Sequence, residues 1–149
     1  MRFLTVLINE RCPLKCRHCS IGFSETNKGS GHRVAPEDLV QIIRDVDPKV
    51  YDVVLFAGGE PALDPALVRL GIDTCKDAGL GAAMVTAPIW ASTQASAKRF
   101  LDKVEGLSQL MLSYDYYHLE FLKYSHYENA AREAAARGCR NAPASPPAS

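Results

Sequence analysis

The chain has 149 residues, 47% hydrophobic and 23% charged, enough for one domain with a real core and too few for two ordinary ones. Seventeen basic and seventeen acidic residues cancel, which removes the general electrostatic footprint of a nucleic-acid or acidic-membrane binder. No apolar run approaches the roughly 18–20 residues of a membrane span, and the apolar amino terminus is too short for a secretory h-region, so the expected compartment is the cytoplasm.

In chain order, residues 2–8 form a first apolar strand and a cysteine-bearing loop follows. Pro36 can open a helix over residues 36–46. A second strand covers residues 51–57. Asp64-Pro65 supplies an N-cap and a first-turn proline for a helix that Gly79 stops. The third strand is residues 81–86. Ser92 is the expected cap of a helix ending at Gly106, and the fourth strand is about residues 107–113. Ser125 and Glu128 fit a capping box for a helix that closes at Gly138. The strands are continuous Val/Leu/Ile/Phe runs, which suit a parallel sheet buried on both faces. Alternating strands and helices predict an α/β fold with right-handed crossovers. Residues 1–138 are the expected domain. Residues 139–149, rich in Pro, Ala and Ser, show no strand pattern and are expected to be a disordered tail, leaving the fourth strand at an open edge.

The first connection is about twenty residues longer than an ordinary βα unit needs, and it carries the cysteines. Cys12, Cys16 and Cys19 are spaced C-x3-C-x2-C, and the chain has five cysteines in all. An odd count with tight clustering is a poor disulfide framework and reads as metal-binding. Thiolates are soft ligands for iron–sulfur clusters or zinc. Three of them on a four-iron cluster leave one iron open to a ligand. Zinc remains an alternative, with His18 or His32 as the fourth donor. At the end of the second strand, Gly58 and Gly59 allow close backbone approach, Glu60 presents a carboxylate that could accept bonds from an ammonium group, and Pro61 stiffens the exit. Ser113 and Asp115 lie on one side of the fourth strand's end.

The cysteine spacing after the first strand, followed by Gly58-Gly59-Glu60-Pro61 after the second, resembles the radical S-adenosylmethionine (radical SAM) superfamily. The run from Ser113 to His118 resembles the S-x-D-x-F/Y-H segment of a subset that includes peptide-modifying members. Residues 86–91 resemble that subset's T-N-G-x-W-A segment but depart from it at Ala87 and Pro88. The resemblance implies a partial parallel (βα) barrel of about four units, against six in the family core. It implies a [4Fe–4S] cluster on Cys12, Cys16 and Cys19, and S-adenosyl-L-methionine as cofactor. His18 would lie by the adenine, the Gly58–Pro61 motif would bind the amino group, and Ser113 and Asp115 would face the ribose or carboxylate. The implied activity is reductive cleavage of the cofactor to a 5′-deoxyadenosyl radical. A flavodoxin- or ferredoxin-type reductant and an unidentified substrate, with a peptide as the candidate, are the implied partners. Beside this reading stand two others: a cluster-binding piece or split-enzyme half completed by a partner chain, and a structural zinc protein. His118 is expected to be structural more often than catalytic. Cys75 reads as core, Cys139 as a bystander, and Arg11, Lys15 and Arg17 as a basic rim of the loop.

Overall fold

A computed structural model describes residues 1–19 and 32–143 of the chain. Five strands form one parallel sheet in the order β1-β2-β3-β4-β5: β1 Phe3–Asn9, β2 Val53–Gly58, β3 Gly81–Thr86, β4 Gln109–Leu112 and β5 Arg140–Pro143. Four helices connect them: α1 Pro36–Arg44, α2 Pro65–Asp77, α3 Gln94–Lys103 and α4 Tyr124–Ala136. Each strand pairs with the next in sequence, so right-handed crossovers place every helix on the same side. The helices accordingly pack in a row, α1 on α2, α2 on α3, α3 on α4. This is the α/β architecture of a partial (βα) barrel.

The core lies between sheet and helices. Val6 and Ile8, Val54 and Phe56, Ala82 and Met84, Leu110 and Leu112 are alternate residues of four strands, and all belong to it. They meet Leu39 and Ile43 of α1, Leu67, Val68 and Ile72 of α2, Phe100 and Leu101 of α3, and Ala130 and Ala134 of α4. Each large apolar side chain so buried contributes about 1.5–3 kcal/mol. Burial on both sheet faces, as expected from the apolar runs, holds at Val53 and Ala83 but not in β1, where Leu7 is 47% exposed. Among the described residues that strand is an edge of the sheet.

Local signals place most element ends. Asp64 does precede α2, yet its carboxylate makes no cap bond. It accepts from Asn9 Nδ2 at 2.9 Å and pairs with Arg33 at 3.5 Å. The cap of α3 is Thr93 rather than Ser92: Thr93 Oγ1 accepts from the Ser96 N–H, and Ser96 Oγ in turn accepts from the Thr93 N–H. The capping box expected at Ser125 is not formed, because α4 starts earlier at Tyr124, with Lys123 as an N-cap that offers no acceptor. The expectation of an unstructured tail from residue 139 is corrected over β5. Gln109 to Leu112 pair with Arg140 to Pro143 in parallel register, so β4 is not an edge. Parallel pairing uses backbone groups and needs no apolar run, and the terminal position of Pro143 suits a residue with no N–H. Residues 144–149 lie outside the described residues.

Candidate functional site

The carboxyl ends of β1 to β4 converge on one cavity of about 230 Å³. It is lined by Cys12, Cys16, His18 and Cys19 after β1, and by Gly58, Gly59 and Glu60 after β2. Thr86 and Ala87 after β3 complete the wall with Ser113 and His118 after β4. Ligand sites in open α/β sheets lie at these strand ends. Of the residues singled out from sequence, Pro61 and Asp115 are not part of the lining. Pro61 is buried at the start of a short 3-10 helix, Pro61–Leu63, and Asp115 is engaged with two histidines.

The long first connection is closed at its neck. Glu10 N–H donates to His32 O at 3.0 Å and Val34 N–H to Ile8 O at 2.9 Å, around an antiparallel bridge between Asn9 and Arg33. The neck is then laid against the Gly-Gly segment. Gly59 N–H donates to Asn9 O at 2.9 Å and Glu60 N–H to Arg11 O at 2.6 Å. A Cβ on Gly58 would stand 2.4 Å from Asn9 O, and one on Gly59 2.2 Å from Arg11 O. The close approach these glycines allow is therefore to the root of the cysteine loop. Gly58 also sits at φ +144°, a conformation that suits only glycine.

Glu60 is 2% exposed. Its Oε1 accepts from Thr86 Oγ1 at 2.5 Å and from Ala62 N–H at 2.9 Å, and its Oε2 accepts from Ala87 N–H at 2.9 Å. Burial pushes its pKa up to about 7 despite those three bonds. Asn9 Nδ2 donates to the Glu60 carbonyl at 3.1 Å. Asn9 belongs to no motif of the sequence, and Thr86 opens the segment that resembles T-N-G-x-W-A without any sign there of its bond to Glu60. Both are polar residues closing an apolar strand, a signal that marks them.

The three thiols share the cavity wall and feel one another. Burial raises Cys12, and the nearby Glu60 and Cys19 add to it against a backbone hydrogen bond from Leu14. Burial together with the charges of Cys12, Asp115 and Cys19 pushes Cys16 up to about 11. Among the described residues, the group of His, Cys, Asp or Glu ligand atoms lying within 4.8 Å of one another is His18, Asp115 and His118. The three thiols line one wall of the cavity and form a soft, threefold donor set of the kind that suits an iron–sulfur cluster or zinc. His18, the alternative fourth zinc donor, is turned to Asp115 Oδ2 at 3.0 Å. His32 is exposed at the neck.

Asp115 is held below the usual carboxylate range: burial alone would raise it, but the His118 ring and N–H and the nearby His18 outweigh that. Cys75 is a fully buried core residue of α2, with a thiol that burial pushes up to about 12. Cys139 lies at the opposite end of the sheet, beside Leu107 and Arg137. No helix among the described residues is long and apolar enough to cross a membrane.

Two comparisons with known proteins bear on this site. The model of the radical SAM superfamily matches residues 6–145. The protein YydG of Bacillus subtilis (strain 168), whose name ties it to peptide biosynthesis, is 24% identical over 129 residues, 85% of this chain. The chain spans 40% of that relative's length.

Proposed function

Since the chain belongs to the radical SAM superfamily, we propose that it holds a [4Fe–4S] cluster on Cys12, Cys16 and Cys19 and binds S-adenosyl-L-methionine at the open iron. The observation that carries this reading is the single cavity that brings the three thiols together with Gly58, Gly59, Glu60 and Ser113. Bound there, cluster and cofactor would supply the electron and the 5′-deoxyadenosyl radical for hydrogen abstraction from substrate. The chain's own residues bind and orient. Glu60, its carboxylate locked by Thr86, Ala62 and Ala87, faces the ammonium group of the cofactor. Its alignment costs little at binding because the wall already fixes it. Ser113, tied to β3 through its N–H to Thr86 O at 2.9 Å, faces the ribose side, and His18 the adenine. Asp115 acts from behind His18.

A one-electron donor of the flavodoxin or ferredoxin type and a peptide substrate complete the proposal. The peptide reading is supported by the name of the Bacillus relative. It is also supported by the exposed Tyr116, Leu119, Phe121 and Tyr124 on the segment that carries His118. The cytoplasm is the proposed compartment, and a partner chain the proposed source of any further barrel strands. The test is anaerobic reconstitution followed by iron and sulfide analysis. Replacing Cys12, Cys16 or Cys19 with Ala should abolish a stable cluster, and full cluster content in Cys16→Ala would overturn the assignment.

A further inference from the structure

The cysteine loop has two anchors of different kinds. Its root, Asn9 to Arg11, is held by backbone bonds to Gly59 and Glu60. Its far half, Cys16 to Cys19, instead meets the segment after β4. His18 Nε2 lies 3.0 Å from Asp115 Oδ2, and the His18 ring stacks on Tyr117 with centroids 4.4 Å apart. The same ring meets His118 edge-on at 5.4 Å, and Arg17 Nε lies 3.9 Å from Glu120. The exposed Arg17 pair is worth little. The His18 contact is different, because its acceptor is fixed in advance.

Asp115 Oδ1 takes the Tyr117 N–H at 3.0 Å and the His118 N–H at 3.2 Å, and lies 2.8 Å from His118 Nδ1. These donors converge on one oxygen and orient the carboxylate, leaving Oδ2 directed at His18. An ionised carboxylate only accepts, so each ring nitrogen facing it carries a proton. His118, 8% exposed, is buried against this bond. Groups one step removed from a metal centre set the geometry of the loop that ligates it, and losing such a partner typically weakens metal binding about 10–100-fold.

We infer that Asp115, oriented by His118, is a positioning residue: it holds His18 and thereby sets the Cys16–Cys19 half of the loop and the ring face turned to the cavity. The inference rests on the reading of the loop as a metal loop.

The experiment is a double-mutant cycle on Asp115→Ala and His18→Phe, the latter keeping a ring to stack on Tyr117. Two quantities are read: amide hydrogen exchange of residues 12–19 in the cluster-free protein, and the rate at which reconstituted protein loses iron to a chelator. Each single variant should speed both, the loss of iron by about tenfold. The double variant should be no faster than the faster single one, because both remove the same bond. Asp115→Asn keeps the turn bonds at Oδ1 and guards against a folding defect. It should show the same direction with a smaller effect.

Multiplying effects in the double variant would overturn the inference, as would faster exchange confined to residues 116–124, which would make Asp115 a cap of its own turn. Stoichiometric zinc bound by the cluster-free protein and lost in His118→Ala would overturn it by assigning the trio to a metal. A wild-type protein that forms no iron–sulfur cluster would refute the proposed function instead, and hydrogen exchange would still decide whether Asp115 anchors the loop.

Discussion

Replacing Glu60 with Gln removes a buried charge and leaves a pH signature. The Glu60 pKa is raised from 4.5 to about 7 by burial. A raised folded pKa means that the native state keeps a proton the unfolded chain has already released. The resulting stability is fully present below about pH 4.5 and is lost as pH climbs to about 7. At 1.36 kcal/mol per pKa unit the loss is about 3 kcal/mol. The neutral acid suits its surroundings: the protonated oxygen can donate to Thr86 Oγ1, which turns its own hydrogen to Ala87 O, 3.0 Å away. Gln cannot match this, because its NH₂ must face the N–H of either Ala62 or Ala87. The variant should therefore be less stable than wild type by about 1–3 kcal/mol at pH 5. The gap should close or reverse by pH 8, as wild type alone pays the cost of ionisation. Urea unfolding of the cluster-free pair from pH 5 to 8 measures the gap directly, and titrations shared by both proteins cancel. A gap constant to within about 0.5 kcal/mol across that range would refute the reasoning.

Other outcomes follow from the same geometry. Gly59→Ala drives a Cβ to 2.2 Å from Arg11 O, and should cost at least about 2 kcal/mol in urea and lower iron uptake together. Gly71→Ala in α2 sets a Cβ 2.5 Å from the Phe56 ring and should cost about 1–3 kcal/mol in the melting transition with little change in iron uptake. Cys75→Ala, in the core, should cost about 1–2 kcal/mol and leave iron per chain at the wild-type value, separating it from the three loop cysteines.

How much of this was legible depends on how far each interaction reaches along the chain. The third strand, Gly81–Thr86, reads directly from the sequence because residues 82–85 are an unbroken apolar run and Gly79 stops the helix before it. The cysteine triplet and the Gly-Gly-Glu-Pro turn are local patterns, and the structure brings them to one cavity. The strand β5 was not legible, since Arg-Asn-Ala-Pro has no strand pattern and gains its conformation from the backbone of β4. The capping of α3 slipped by one residue because Ser92 and Thr93 are chemically alike, and only the returned bond from Ser96 distinguishes them. Glu60 with Thr86, and His18 with Asp115, are pairings of residues far apart in sequence. Strand-end position and motif mark the carboxylates as candidates, but only the fold shows that both are committed to donors of the chain itself. The glycines illustrate the same limit: the need for close approach was readable, while the partner, the backbone of Asn9 and Arg11, was not.

The most direct measurement of the central claim is electron paramagnetic resonance of the anaerobically reconstituted, dithionite-reduced protein, with and without S-adenosyl-L-methionine. The account predicts a [4Fe–4S]⁺ signal that depends on Cys12, Cys16 and Cys19 and changes shape when the cofactor is added. Stoichiometric zinc with no cluster signal, or a cluster signal indifferent to the cofactor, would contradict it.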